Sequence, residues 1–516
     1  MALFGKSRGE KKAAGKEGYL TQKLSTGKIH TKMTAPSISM GSKGPSESAV
    51  LMPEEEMKAR EYRSPVLKGY MDHFNDQAYD HLRDWHEAAK EQPHVPIRKR
   101  KPFIRYNIAK VLSTRLASKL LGREVFPKIS IEEDPESEMY FKEILKRSGL
   151  EHKLLGPARS LCVTGSMFVR FEIIMGQKFK LRAYNSNVCY PVFAPDDTLE
   201  SVAVLYTYVD HDDLDKDGNP RKRWYKALFG QNVDILYDNP EFRADRDPEF
   251  LEVERVEHNF GFVQGEWFRT DEDDIASPDG MSLVADAITF QDALNYSLSQ
   301  SQQATDYNTD PQLAFNKMDE DEIENLMRSS EKAWNLGREG EGKFLESSMN
   351  GVTTSMELRD KNRTLIQDLT RVILMDPEKM SALAQSGKAL EVLHGPMVDL
   401  ISELRPQIEN HLVNLIIKIG VANIICAREF GRSPVPIPPG WMPMSANIVL
   451  SWPPVFQMTI EDLKNHLAWV VNASNNNVIS RRTAVTTVQK HFNIQDVDAE
   501  LHEINTQPQL NPFGAF

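Results

Sequence analysis

Residues 283–310 read LVADAITFQDALNYSLSQSQQATDYNTD, and Leu283, Ala287, Phe290, Leu294 and Leu298 recur along them at helical spacing. The stretch predicts one long helix with a single apolar face. Asp310-Pro311 closes it, because a proline lacks the N–H that would continue the ladder. The segments on either side of this helix decide the architecture.

Upstream, from Cys162 to Val263, the pattern is β-rich: Met167 to Ile174, Phe179 to Ala183, Val202 to Val209, Trp224 to Phe229, Val233 to Tyr237 and Val256 to Val263, punctuated by Gly, Asn and Asp. Gly176-Gln177 and Gly230-Gln231 are spaced to turn two hairpins. Tyr79, Leu82, Trp85 and Ala89 suit a helix ahead of this region, and Ile108, Val111, Leu112, Leu116 and Leu120 give a second. Together these predict a mixed α/β domain over about 55–280 with one largely antiparallel sheet, and hence an α+β chain.

Downstream comes a polar, Gly-dotted region, 306–354, with a predicted helix Glu320 to Leu336 and a turn at 337–342. A helix from Glu357 to Leu374, a loop from Met375 to Gly387 and a helical tract from Lys388 to Glu429 follow. Gly395-Pro396 and Pro406 lie in that tract, where an interior proline predicts a kink or break. The chain then runs through Pro434 to Pro439, a strand-like Asn447 to Trp452, and two short helices, Ile460 to Val471 and Arg481 to Phe492, the second capped by Ser480.

A chain of 516 residues, 40% apolar and 26% charged, folds as more than one packed unit. Cys162, Cys189 and Cys426 are far apart and form no zinc spacing, so they read as reduced core residues. The N-terminus lacks an apolar signal core, and Leu412 to Ala427 is interrupted by Asn414, Lys418 and Asn423. It falls short of the ~20 apolar residues of a membrane span and reads as a buried helix, with no membrane partner. The net charge of −12 argues against capture of nucleic acid on an all-basic surface. Residues 1–50, however, carry nine Lys/Arg against three Glu, and 1–54 reads as a disordered basic arm.

Two segments imitate chemistry. Gly337-Arg338-Glu339-Gly340-Glu341-Gly342-Lys343-Phe344 has the Gly/Lys spacing of a phosphate loop, but Phe344 stands where a metal-binding hydroxyl belongs, and Glu339 and Glu341 repel phosphate. Asp213, Asp215, Asp217 and Gly218 open like a calcium loop, but Trp224 occupies the place of its closing Glu. Histidines form no HExxH or triad order. No catalytic residue, metal or cofactor is expected. The basic run Arg98-Lys99-Arg100-Lys101 is a solvated turn or a contact to a DNA backbone.

The succession of α/β region, long helix, small insert, second helix, loop, kinked helix and short helical end resembles the portal proteins of tailed double-stranded DNA phages. Local wording agrees: Asp286, Asn295 and Ser299 along 283–310, Ser386-Gly387-Lys388-Ala389-Leu390 opening the long tract, Trp452-Pro453-Pro454 before Thr459-Ile460-Glu461-Asp462, and Asn477-Val478-Ile479-Ser480. The similarity covers roughly 60–495, and its specificity lies in the order of the parts. It implies a wing (55–280), stem helix (281–305), clip (306–354), second stem helix (355–374), channel loop (375–387), long kinked wing helix with the last wing strand (388–458), crown (459–505) and flexible tail (506–516).

The resemblance further implies a ring of 12 copies at one capsid vertex of the virion, assembled in the host cytoplasm, through which DNA is packaged, retained and ejected. Terminase, major capsid and scaffolding proteins and head-tail connector proteins are its implied partners. Asp376, Glu378, Lys379, Met380, Ser381 and Gln385 would then line the narrowest part of the channel. A uniformly basic wall would hold DNA by counterion release, so this mixed loop suits passage better than capture. The competing readings are a monomeric helical scaffold or adaptor and a nucleotide hydrolase using Gly337 to Lys343.

Overall fold

The computed structural model describes residues 62–84, 96–131, 134–174, 178–215, 217–243, 248–271, 277–309, 312–316, 341–345, 350–374, 392–437, 448–456, 460–492, 494 and 497–506. The arm 1–54, the loop 375–387, the helix expected at 320–336, Ser386 to Leu390 and the tail beyond 506 lie outside the described residues. The chain forms two compact units, Met1–Val372 with Leu400–Pro453, and Ile373–Asp399 with Pro454–Phe516.

In the first unit the helices follow from local chemistry. Helix α1 is Ser64–Phe74. Helix α2, Ile108–Leu120, is capped by Asn107, whose side chain accepts from Lys110 N, and it buries Ile108, Leu112, Leu116 and Leu120. Helix α3, Pro135–Ser148, starts at the Asp134 cap with Pro at N1 and acidic residues in its first turn, and stops at Gly149 in the left-handed region. Helix α4, Leu155–Thr164, ends likewise at Gly165.

The strands are β1 (Lys128–Ser130), β2 (Ser166–Ile174), β3 (Lys178–Asn185), β4 (Cys189–Phe193), β5 (Leu199–Leu214), β6 (Pro220–Gly230), β7 (Val233–Tyr237), β8 (Glu252–Glu257) and β9 (Gly265–Arg269). Strands β2 to β9 build two sheets where the sequence predicted one. Strands β8-β7-β6-β5-β4 form an antiparallel five-stranded sheet, and β9-β2-β3 an antiparallel three-stranded one. The 3-10 turn Ser186–Val188 ends one sheet and starts the other. The strand expected from Val256 to Val263 is split for a visible reason: Asn259 and Gly261 have positive φ, 50° and 79°. Phe168, Cys189, Val202, Val204, Phe229 and Trp267 form the core between the sheets.

The β5–β6 turn is the segment that imitates a calcium loop. The Asp215 carboxylate accepts from the backbone N–H groups of Asp217 (2.9 Å) and Asn219 (2.8 Å), and Gly218 has φ 84°. Its aspartate therefore closes a hairpin.

Helix α5, Ala285–Thr309, is followed by strands β10 (Gln312–Asn316) and β11 (Glu341–Leu345), which pair antiparallel, and by helix α6, Asn350–Thr370. The turn expected at 337–342 thus gives way, from Glu341, to a strand. Helix α6 starts earlier than the sequence suggested and stops before Arg371, whose φ is 56°. Helix α7, Gly395–Phe430, begins at the Gly-Pro pair and runs on through Pro406, so no break occurs at that proline.

Helix α7 is long and apolar enough to cross a membrane by length and composition, yet 56% of its most apolar window is buried inside the protein. It packs as a core helix: Tyr140 donates to Gly420 O (3.0 Å), and buried Asn423 bonds Tyr140 and both backbone groups of Val435. Strand β12, Val449–Ser451, pairs with β1.

In the second unit, α8 (Ile460–Asn475), α9 (Arg481–Phe492) and α10 (Val497–Thr506) follow in order. Ser480 caps α9 as expected, accepting from Thr483 N at 3.1 Å. Asn477, with φ 57°, turns the chain between α8 and α9. His394 stacks on Phe456 in the same unit.

Candidate functional site

Helix α5 leaves the sheets through residues 277–284, and that passage is pinned along its length. The Asp279 carboxylate accepts from Arg63 Nε (2.5 Å) and Nη2 (2.7 Å) and from the Ser166 hydroxyl. Arg63 also donates to Cys189 O (2.6 Å) and lies over the Trp267 ring, whose Nε1 donates to Pro278 O (2.7 Å). Thr270 Oγ1 donates to Met281 O (2.7 Å) and Ser282 Oγ to Val163 O (2.6 Å). Gly280 passes so close that a Cβ there would stand 2.5 Å from Thr270 Oγ1 and 2.6 Å from Thr270 N. A bidentate arginine–carboxylate pair in this setting fixes direction as well as position. The sheets therefore aim the helix.

Along α5, three polar side chains four residues apart face the segment 104–109, which leads into the first turn of α2. Gln291 Oε1 accepts from Ala109 N (2.8 Å), Asn295 Oδ1 from Tyr106 N (2.8 Å) and Ser299 Oγ from Ile104 N (3.2 Å). One turn of side chain per backbone N–H clamps 104–109 to the helix. Asp292 accepts from the Tyr79 hydroxyl (2.5 Å) and faces His73 Nε2 (3.3 Å), while His73 Nδ1 lies 2.7 Å from Gly69 O and so carries the proton given to that carbonyl. Burial alone would lower the His73 pKa; the Asp292 hydrogen bond, the Gly69 carbonyl and the nearby carboxylates outweigh it and raise the pKa above the usual value.

These contacts explain a departure from the sequence reading. Tyr79 was expected in a helix, but α1 stops at Phe74, Asp76 has φ 63°, and residues 75–82 form turns that deliver Tyr79 to Asp292. Trp85 and Ala89 lie outside the described residues.

The basic run sits on the same helix. Ile97–Lys99 is a 3-10 turn, Arg98 and Lys99 are exposed, and Arg100 and Lys101 are half-buried. Tyr296 donates its hydroxyl to Arg98 O (3.3 Å) and Arg100 O (3.2 Å), and Lys101 pairs with Asp80 at 3.1 Å. Arg98 to Lys101 thus form a ledge tied to α5 by backbone contacts, with two cationic heads in solvent.

Helices α5 and α6 form an antiparallel hairpin. Ser355 Oγ meets Ser297 Oγ (2.5 Å) and accepts from Ser301 Oγ (2.7 Å), and Val352 and Ile366 are buried. Leu358, Leu365 and Leu369 recur on one side of α6, each about half exposed (46–50%). An open groove of about 860 Å³ runs beside the hairpin, lined by Tyr79, Ile97, Asp292, Tyr296 and Leu358 among others.

Helix α7 is held to β9 by a buried carboxylate. Glu266 accepts from Lys418 Nζ (2.6 Å) and bonds His411 Nδ1 (3.0 Å). Burial would raise the Glu266 pKa, but the His411 hydrogen bond and the Lys418 charge overcome it and hold the carboxyl below its usual range.

Among the described residues no group of three or more His, Cys, Asp or Glu could hold a metal ion. Burial pushes the Cys162 thiol up to about 12, far from a reactive thiolate. Gly342, Lys343 and Phe344 pair with Phe315, Ala314 and Leu313 in a β-ladder, whereas a phosphate loop would start a helix at that lysine. Asp376, Glu378, Lys379, Met380, Ser381 and Gln385 lie outside the described residues.

Sequence reasoning singled out Asn295 and Ser299 but missed Arg63, Asp279, Asp292 and Glu266. Asp279 stands in Pro278-Asp279-Gly280, a turn sequence, and the other three carry no short-range signal.

The family model described as "Phage portal protein, SPP1 Gp6-like" matches residues 70–410, and the chain belongs to that family of portal proteins, which are structural and not enzymes. No curated protein matches the chain. Among solved structures it is similar to a chain in the neck of an empty GTA particle computed with C6 symmetry, at 11% identity over 74% of this chain and 90% of that one, with a TM-score of 0.41. A chain in the virion of a native gene transfer agent particle gives 10%, 74%, 89% and 0.40. The neck of a native GTA particle computed with C12 symmetry gives 10%, 74%, 89% and 0.41.

Proposed function

We propose that the protein assembles as a closed ring of 12 copies at one vertex of a phage capsid, forming the channel through which double-stranded DNA is packaged, retained and ejected. The observation that carries this reading is membership of the portal family together with the α5–α6 hairpin that the Arg63–Asp279 junction aims away from the sheets. In this reading the parts are the wing at 55–280, stem helices at 281–305 and 355–374, the clip at 306–354, the channel loop at 375–387, the long wing helix and last strand at 388–458 and the crown at 459–505. The basic arm 1–54 and the tail 506–516 flank them.

The ring is a docking platform for terminase, for major capsid and scaffolding proteins and for head-tail connector proteins. It is assembled in the host cytoplasm and ends in the virion. The loop residues Asp376, Glu378, Lys379, Met380, Ser381 and Gln385 narrow the channel, and Arg98 to Lys101 offer backbone phosphate contacts. In a chain of net charge −12, Lys379 gives one loop cation per subunit, which guides a moving duplex without holding it.

Lys379→Glu is expected to leave the oligomer unchanged but to impair packaging or genome retention, measured as nuclease-protected DNA per particle. Lys222→Glu, on β6 and beside the Phe242 ring, should do neither. Wild-type packaging and retention by Lys379→Glu particles would remove that residue from the channel.

A further inference from the structure

We propose that the joint between the two sheets holds one buried water molecule, bound by an ion cluster whose charges cancel. Arg170 of β2 reaches from the three-stranded sheet to Asp234 of β7 in the five-stranded sheet, donating to its Oδ2 at 2.8 Å, and also bonds Glu172. Its guanidinium lies 4.0 Å from the Phe229 ring centroid. The side chains of Arg170, Glu172 and Asp234 are 5%, 7% and 7% exposed. Each keeps one polar atom without a hydrogen bond: Arg170 Nε, Glu172 Oε2 and Asp234 Oδ1. Groups buried to this degree are ordinarily satisfied, and leaving three unsatisfied within one cluster would be expensive.

The same three side chains, with Phe229, Leu236, Val256 and Gln264, line a cavity of about 20 Å³. That exceeds the ~10–15 Å³ one water needs. A water there has two protons for the carboxylate oxygens and two lone pairs, one for Arg170 Nε–H and one for a second donor.

Charge decides against a cation. Glu172 and Asp234 are opposed by Arg170 and by Lys180, whose Nζ stands 3.6 Å from Glu172 Oε2. His258 Nε2, buried and without a hydrogen bond of its own, lies 3.5 Å from Asp234 Oδ1 and is that second donor. No excess negative charge remains to offset the dehydration of a metal ion. A neutral hydrogen-bonding ligand of water's size is the one that fits.

The assembled protein, determined to about 2 Å or better, should show one peak within hydrogen-bonding distance of both Glu172 Oε2 and Asp234 Oδ1, and thallium(I) soaking should give no anomalous signal there. Val256→Ile, which puts a methyl group into the cavity, should lower Tm by roughly 2–4 °C, because it expels a bound water. A cavity without density, a thallium peak, or a rise in Tm on filling would each overturn the proposal. The density measurement stands even if the variant fails to fold.

Discussion

Arg170→Ala is expected to destabilise the first unit by roughly 3–5 kcal/mol, because removing one partner of a buried ion cluster strands the others. Glu172 and Asp234 would remain inside the joint without their shared cation, 7% exposed and within one cluster. The loss does not measure the worth of the cluster, since its formation also cost the desolvation of every member. The triple change Arg170→Met, Glu172→Leu, Asp234→Leu should therefore recover most of the stability that the single change removes. Urea midpoints for the three proteins check this. An Arg170→Ala midpoint equal to wild type would mean that the two sheets are joined by the Phe168, Phe229 and Trp267 core alone.

Glu266→Ala should cost a similar amount, about 3–5 kcal/mol, through a different joint. It leaves Lys418, only 22% exposed, and buried His411 without their shared carboxylate, so that α7 keeps only the Lys418 bond to Gly265 O and the His411–Phe268 ring contact along this part of β9. The pH dependence follows from the direction of the shift. The folded carboxyl titrates below the unfolded one, so its contribution is fully present above the ordinary Glu range and is lost as pH falls through the depressed folded value. Wild type should lose stability on acidification through this window faster than Glu266→Gln does. Parallel stability–pH curves for the two proteins would show that Glu266 is not held low by Lys418 and His411.

Much of the helical layout was legible in the sequence because helices announce themselves locally. Helix α5 shows its apolar stripe and the closing Asp310-Pro311, and α9 shows its Ser480 cap. The division into two sheets was not legible, because the 3-10 turn Ser186–Val188 is short and its residues are unremarkable strand neighbours. Tyr79 was misplaced because its hydroxyl bonds a residue 213 positions away, and that long-range capture overrides a weak helical pattern.

Strands β10 and β11 were missed for a related reason. The Gly-rich run at 337–342 reads as a turn, and the ladder partner that makes 341–345 extended lies 25 residues or more upstream. The basic run Arg98 to Lys101 was visible as charge, but its seat on Tyr296 was not. Junction residues such as Arg63 and Asp279 act as a pair that only the fold brings together.

The central claim is that copies of this chain close into a ring around a hole. Electron micrographs of the purified full-length protein, viewed end-on, test it most directly. The account predicts annular particles with 12-fold symmetry and a central channel, of about 0.7 MDa for 12 chains of 58.7 kDa. Particles that remain the size of one chain or two at micromolar protein and moderate salt would contradict it.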